Sequence, residues 1–160
     1  MISSNNILKP SDGRPVAEPS QDIVLGCYFA TKGPHGFDAL LKDEKAQQKL
    51  RTFGSAAEIE MALALSQLTV HSAVRYFGRT PEGKRAWMTT TAGRVLFDGI
   101  VPSELPFQNR DMKKKALGEL VFESYRKVGL AGTVLTVVGV TWERRVLELR
   151  QATAYLGRLR

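Results

Sequence analysis

The chain has 160 residues, of which 43% are apolar, which suits one domain with a hydrophobic core and excludes wholesale disorder. Lysine and arginine outnumber aspartate and glutamate by 23 to 16, and the net charge of +7 favours anionic partners such as nucleic acid. A single cysteine excludes an intrachain disulfide, and no apolar run reaches the ~18 residues of a membrane span, so we expect a cytoplasmic protein.

The first 20 residues are polar and rich in turn residues. Pro10, Pro15 and Pro19 favour extended geometry in the residues that precede them. Residues 22–31 then form a mostly buried strand or a short helix, and periodicity alone leaves both open. Cys27 lies in this run and is interpreted as a buried core residue and not as a nucleophile.

A helix followed by a β-hairpin is predicted in the middle of the chain. Residues 38–51 are weakly helical, and residues 56–67 form a helix rich in Ala, Leu, Glu and Met. Residues 68–77 alternate in polarity as a strand does, and "RAWMTTTAGRVLF" supplies the partner strand, near 85–91. The hairpin tip is basic at Arg79, Lys84 and Arg85. These cations are either solvated loop residues or contacts to phosphate.

The clearest helix is predicted at 111–128. Leu117, Leu120, Val121 and Ser124 mark one face, and Gly129 occupies the position of a C-terminal cap. Residues 133–140 are predicted to form a buried strand, and the tail 143–160 is amphipathic and basic. Together these elements predict an α+β fold.

No complete active site is found in the sequence. His35 and His71 are far apart and, with one cysteine, offer no zinc spacing. The carboxylates do not form the clustered aspartate pattern that holds magnesium, and no P-loop, GxGxxG or GxSxG occurs. We therefore expect no catalytic residue and no metal ligand here, and interpret the chain as supporting a site made elsewhere.

Two long blocks carry a resemblance to a known family. The stretch "SSNNILKPSDGRPVAEPSQDIVLGCYFAT", residues 3–31, resembles β-prime, the largest catalytic subunit of bacterial DNA-directed RNA polymerase. Residues 89–134, with "TTTAGR", "LPFQN" and "KKKALGEL", are similar to a second block of that family in the same order, and "LTVHSAVRYF" is similar to the strand before it. The magnesium-binding N-A-D-F-D-G-D motif of the family is absent from this chain, and the similarity ends near Val134.

The resemblance implies a segment of a large multidomain subunit, with a β-hairpin, packed helices and irregular proline-rich N-terminal loops. It divides the chain into active-centre-proximal loops and a strand at 1–31, a pore- and funnel-type region at 32–134, and a divergent or truncated tail at 135–160. It also implies that Gln21 and Asp22 lie near the RNA 3′ end and the nucleotide. The alternative is that these two residues cap a helix or strand.

The implied function is DNA-templated RNA synthesis by the whole polymerase, with Mg²⁺ bound by residues outside this chain, which alone is inactive. The implied partners are the β, α, ω and sigma subunits, template DNA, RNA and nucleoside triphosphates, and no membrane. The alternative is a stand-alone basic nucleic-acid-binding module without enzymatic activity.

Overall fold

The computed structural model describes residues 11, 21–80 and 84–129. The predictions made for the other residues of 1–20, for the strand at 133–140 and for the tail at 143–160 lie outside these described residues. Helices and a small mixed sheet alternate along the described chain, which confirms the predicted α+β class. The elements are α1 (Gln21–Thr31), α2 (Phe37–Lys42), α3 (Glu44–Gln48), β1 (Thr52–Phe53), α4 (Ala56–Ala64), β2 (Ala73–Arg79), β3 (Arg85–Thr91), α5 (Ala92–Asp98) and α6 (114–129).

The sheet has the order β1-β2-β3, with β1 parallel to β2 and β2 antiparallel to β3. The predicted hairpin is confirmed, and its register runs from Ala73 opposite Thr91 to Arg79 opposite Arg85. The first strand is shorter than predicted and begins at Ala73. The reason is a turn at 69–72, in which the Ser72 amide donates to the Thr69 carbonyl oxygen.

Two segments expected to be extended are helical. Residues 21–31 form α1, so the strand assigned within 1–31 is wrong and the helix alternative is right. Cys27 and Ala30 are buried on one side of α1 while Leu25 and Phe29 remain exposed, which is the one-sided burial of a surface helix. The second segment is 92–97 of the predicted partner strand, which belongs to α5 because the Thr91 hydroxyl accepts a hydrogen bond from the Arg94 amide and caps the helix.

The remaining helices follow the sequence pattern. The helix predicted at 56–67 is α4, and the weakly helical 38–51 region contains two short helices, α2 and α3. In α6, the predicted apolar face is confirmed, since its members are at most 2% exposed. These members are Leu117, Leu120, Val121 and Ser124.

The core consists of two apolar clusters with α5 between them. One cluster contains Cys27 of α1, Phe97 of α5 and Leu120 of α6. The other contains Ile59 of α4 and Val95 of α5, with the inner face of the hairpin packed against it. Burial raises the pKa of the Cys27 thiol to about 12, so the thiol stays protonated at neutral pH, as a core residue would.

Arg94 is the centre of a buried polar network that joins the elements around α5. Its Nε donates to the Thr31 carbonyl oxygen at 2.8 Å, and its Nη1 donates to Asn109 Oδ1 at 3.0 Å. Its Nη2 forms a 2.8 Å ion pair with the Asp111 carboxylate. The guanidinium carbon lies 4.8 Å from the ring centroid of Phe37, the first residue of α2. Arg94 therefore fixes the end of α1, the start of α2 and the segment 109–111 against α5.

Close backbone approach makes this network possible. A β-carbon on Gly93 would overlap the carbonyl oxygen of Ala30, so only glycine lets α5 approach α1 this closely. Thr31, the last residue of α1, accepts a 2.9 Å hydrogen bond from the Met112 amide through its hydroxyl. The network thus joins α1, α5 and the segment 109–112.

Candidate nucleic-acid interface

The two faces of the hairpin differ in composition. The inner face contributes Val74, Tyr76 and Met88 to the second apolar cluster. Because side chains alternate along a strand, the neighbouring positions form the outer face. The outer face consists of Arg75, Phe77 and Arg79 on β2, opposite Thr89, Trp87 and Arg85 on β3.

The three cations predicted at the hairpin tip come together in the structure. Arg79 and Arg85 are direct partners in the register, and Lys84 precedes Arg85. The Thr80 amide and hydroxyl both donate to the Lys84 carbonyl oxygen, at 2.7 and 3.0 Å, which closes the end of the hairpin. Like charges directly opposite each other weaken strand pairing. An anion placed between Arg79 and Arg85 would relieve that repulsion.

The acid that approaches this tip from the core side is Asp98, the last residue of α5. Burial raises the pKa of the Asp98 carboxyl, and the Arg79 guanidinium acts in the opposite direction. Its Oδ1 is buried and has no hydrogen-bond partner among the described residues. Burial, followed by the Asp98 charge, raises the pKa of the Tyr76 hydroxyl, while Arg85 lowers it. Asp98 therefore offsets only part of the positive charge at the tip, and the structure forms no ion pair within 4 Å between Arg79 or Arg85 and a described carboxylate.

Gln21 and Asp22 lie on a different element, the first turn of α1. Asp22 is exposed there, where a negative charge is favourable next to the helix N-terminus. Gly93 of α5 contacts the C-terminal part of α1 at Ala30, whereas Ile23, near the start of α1, joins the same cluster as Phe97, near the end of α5. This arrangement indicates that α1 and α5 run antiparallel.

Aromatic residues on the outer hairpin face were missed by the sequence analysis. Phe77 and Trp87 pair across the strands with ring centroids 5.2 Å apart, and Arg75 lies over the Trp87 ring at 5.6 Å. The available signal was the spacing of two residues between Arg75, Phe77 and Arg79, which places all three on one face of a strand.

The described residues hold neither a candidate metal cluster nor a membrane-spanning helix. In them, no group of three or more His, Cys, Asp or Glu side chains is arranged to hold a metal ion. Within the same residues, none of the helices is long and apolar enough to cross a membrane. His71 contacts the Lys32 carbonyl oxygen through Nδ1 at 3.1 Å and packs edge-on against Phe29.

Comparison with known proteins identifies the family. Residues 6–137 match the family model described as RNA polymerase Rpb1, domain 3. The chain belongs to this family. Similar proteins named DNA-directed RNA polymerase subunit beta' include those of Dechloromonas aromatica, 42% identical over 84% of this chain, Streptomyces avermitilis, 38% over 91%, and Aquifex aeolicus, 37% over 84%. The chain spans 8–12% of the length of these three relatives. The resemblance drawn from the two sequence blocks is thereby confirmed.

Membership of the Rpb1 domain 3 family gives the second sequence block a structural meaning. Thr90 and Arg94 from "TTTAGR" meet Asn109 from "LPFQN" in the buried network: Asn109 Oδ1 accepts from both Thr90 Oγ1, at 2.9 Å, and Arg94 Nη1. These residues hold the hairpin to the rest of the domain. They position the candidate interface without being part of it.

Proposed function

We propose that this chain forms part of the β′ subunit of a bacterial-type DNA-directed RNA polymerase and lines the pore beside the active centre. The observation that carries the proposal is the family match over residues 6–137, together with relatives that are all named as β′ subunits. The complete polymerase would act as a nucleotidyltransferase on nucleoside triphosphates. Its partners would be the β, α, ω and sigma subunits, template DNA and RNA.

The role proposed for this chain is to shape the channel and not to perform the chemical step. Phosphoryl transfer needs metal ions that neutralise the triphosphate and activate the attacking hydroxyl, and Mg²⁺ bound by the rest of the enzyme would supply them. Gln21 carries both donors and acceptors, which suits contact with ribose or phosphate near the RNA 3′ end. Its place at the start of a helix that is fixed by the Arg94 network would limit the entropy lost on binding.

The tip cations are proposed to contact nucleic-acid phosphates. Arg79, Lys84 and Arg85 lie together at one end of the hairpin, and Arg79 faces a like charge on the opposite strand. Such contacts are electrostatic and do not read sequence, so binding should weaken steeply as the salt concentration rises.

A chimeric polymerase tests the proposal. The matching segment of β′ in a reconstituted bacterial polymerase is replaced by residues 6–137, and a photo-crosslinking amino acid is introduced at Gln21. We expect DNA-templated primer extension and a crosslink from Gln21 to the RNA 3′ end. The control places the same crosslinker at Met61, an exposed residue of α4. An active chimera that crosslinks RNA equally from both positions, or from neither, would refute the position proposed for Gln21.

The alternative function, a stand-alone nucleic-acid-binding module, is favoured by the Arg79–Arg85 pair alone, because that pair would bind phosphate without any polymerase. The chimera separates the two. A chimera that assembles but cannot extend a primer, while the 160-residue chain binds oligonucleotides, would favour the module. Codons for the N-A-D-F-D-G-D motif directly upstream in the source DNA would favour the polymerase.

A further inference from the structure

The outer hairpin face carries an aromatic pair that the core does not need. Trp87 is 48% exposed, although the inner face of the same hairpin packs against the second cluster. Its ring lies 5.2 Å from that of Phe77, centroid to centroid, at an interplanar angle of 54°. Leaving much of an indole in water is unfavourable, since burial of apolar surface stabilises a fold. The pair therefore provides a ready apolar surface for a ligand.

Arginines flank this pair on both sides. Arg75 and Arg79 are each two residues from Phe77 on β2, which corresponds to about 7 Å along the strand in either direction. Arg75 lies over the Trp87 ring, and Arg85 extends the positive charge on β3. No carboxylate occupies a position on this outer face in the described strands. The ligand that fits should therefore combine planar rings with regularly spaced negative charges.

We propose that the outer face of the β2–β3 hairpin binds single-stranded nucleic acid, with one base stacked on the Trp87–Phe77 pair and the neighbouring phosphates held by Arg75, Arg79 and Arg85. A single strand exposes base faces and carries one phosphate per nucleotide, so it matches both features of this surface. A duplex keeps its bases stacked inside and offers only the phosphates. An acidic peptide matches the charge, but it has no planar ring in every repeat to use the aromatic pair.

The phosphate-binding part of this site rests on the proposed function, because it uses the phosphate contacts proposed for Arg79 and Arg85. The base-stacking part, formed by Trp87 and Phe77, is additional. The two parts fail separately. Substitution of Trp87 removes base stacking but keeps the arginines that bind phosphate. Substitution of Arg85, in contrast, weakens the binding of normal and abasic strands alike.

Fluorescence titration of the full 160-residue chain tests the proposal. The chain has two tryptophans, so Trp142→Phe is introduced in every protein and the emission then reports Trp87. The probes are a short oligothymidylate, an abasic strand of the same length, the corresponding duplex and heparin. We expect the oligothymidylate to quench Trp87 emission and the abasic strand and heparin to bind without quenching.

Substitution completes the test. Trp87→Ala, followed by the anisotropy of a labelled oligothymidylate, should weaken binding by roughly 5- to 150-fold, which corresponds to the loss of one stacked base. Trp87→Phe should recover part of this loss because it keeps a ring. Phe122→Ala is the matched control, since Phe122 is an exposed aromatic with Arg126 6.0 Å from its ring, but it lies on α6. It should bind like the parent protein.

Three outcomes would overturn the proposal. In the first, the normal and abasic strands bind with equal affinity. In the second, the oligothymidylate binds without quenching Trp87 emission. In the third, duplex or heparin binds more tightly than the oligothymidylate, and Trp87→Ala leaves that affinity unchanged. The last pattern would assign the surface to phosphates or acidic proteins alone. If Trp87→Ala lowers thermal stability, the quenching comparison between normal and abasic strands on the Trp142→Phe protein still decides between stacking and charge.

Discussion

Two arginine sites on neighbouring elements of this domain, Arg94 on α5 and the Arg79–Arg85 pair on the hairpin, have opposite environments. Arg94 is 4% exposed, and its guanidinium reaches the Thr31 carbonyl, Asn109 and the Asp111 carboxylate. Arg79 and Arg85 face each other across the hairpin with no carboxylate among the described residues within ion-pair distance. Removing a charge from water is costly, so the buried arginine is retained with partners that satisfy it.

The two environments distinguish a structural cation from the cations that we propose to bind a ligand. A buried arginine whose three nitrogens all donate to groups of the protein affects function through the geometry that it holds. Arg79 and Arg85 are like charges that weaken strand pairing, and neither forms an ion pair with a described carboxylate, so both remain available to an anion.

Removal of the buried arginine should have the largest consequence. Arg94→Ala leaves Asp111 without its ion pair and the Thr31 carbonyl without a donor, so the free energy of unfolding should fall by about 3–5 kcal/mol. Urea unfolding followed by far-UV circular dichroism measures the change. The control is Arg110→Ala, because the ion pair of Arg110 with Glu119 is 3.6 Å long and half-exposed, and its loss should cost less than about 1 kcal/mol. Equal losses in the two variants would contradict the distinction.

The close approach of α5 to α1, on which the Arg94 network depends, can be disrupted without removing the arginine. Gly93→Ala places a methyl group against the Ala30 carbonyl oxygen and should destabilise the protein by about 2–3 kcal/mol. In contrast, a β-carbon at Gly118 in α6 meets no described atom within 4 Å outside the local backbone of its helix, so Gly118→Ala should stabilise by about 0.5–1 kcal/mol. Thermal unfolding of both variants measures the difference. A stable Gly93→Ala protein would show that α5 and α1 are not held this closely.

Asp98 lies between the core and the cationic tip, and its charge should oppose folding. Burial raises its pKa in the folded state, so protonation favours the fold. The contribution of protonated Asp98 to the free energy of unfolding is fully present below the ordinary pKa of 3.8. It is lost as the pH rises through the folded-state pKa. Asp98→Asn should therefore raise the free energy of unfolding at pH 7, by at most about 1 kcal/mol because solvent screens the partly exposed group.

The gain from Asp98→Asn should disappear as the pH falls below 3.8, since the wild-type carboxyl is then neutral too. Urea titrations at several pH values measure the difference between the two proteins. Asp38→Asn, at an exposed position in the first turn of α2, is the control, and it should show no such gain at pH 7. A destabilised Asp98→Asn protein at neutral pH would show that the Arg79 interaction outweighs burial.

The smallest effect on folding is expected at the tip itself. Arg85→Ala removes one of two opposed like charges, so the free energy of unfolding should stay the same or increase by about 0.2–0.5 kcal/mol. The slope of log affinity for single-stranded oligonucleotide against log salt should at the same time become shallower by roughly 0.7. Lys113→Ala, an exposed lysine just before α6, should change neither quantity. A large loss of stability in Arg85→Ala would make this residue structural.

Local pattern predicted part of the fold well. The apolar face of α6 could be predicted because Leu117, Leu120 and Ser124 recur at helical spacing, and the hairpin because Val74 and Tyr76 alternate. The candidate site was predicted only at its charged tip, since the pairing of Phe77 with Trp87 becomes visible only when the register is known.

The two segments that were wrongly expected to be strands have a common physical cause for their helical form. The segment 22–31 is short and apolar, and either a strand or a helix could bury it, so its form depends on what packs against it. Helix α5 has seven residues and begins directly after a strand rich in threonine. A helix this short is marginal by itself and is stabilised by tertiary contacts, here its position between the two apolar clusters.

The sequence by itself determined the positive charge, the periodicity of α6, the hairpin and the two blocks that indicate the polymerase family. It did not determine which arginines are paired. Arg94 meets the Thr31 carbonyl 63 residues away and Asp111 17 residues away, so no local pattern links them. Only the tertiary structure brings these groups together, because a buried guanidinium takes its partners from whichever backbone and side chains the packing of α1 and α5 places around it. The same packing leaves Arg75, Arg79 and Arg85 on the outer face of the hairpin.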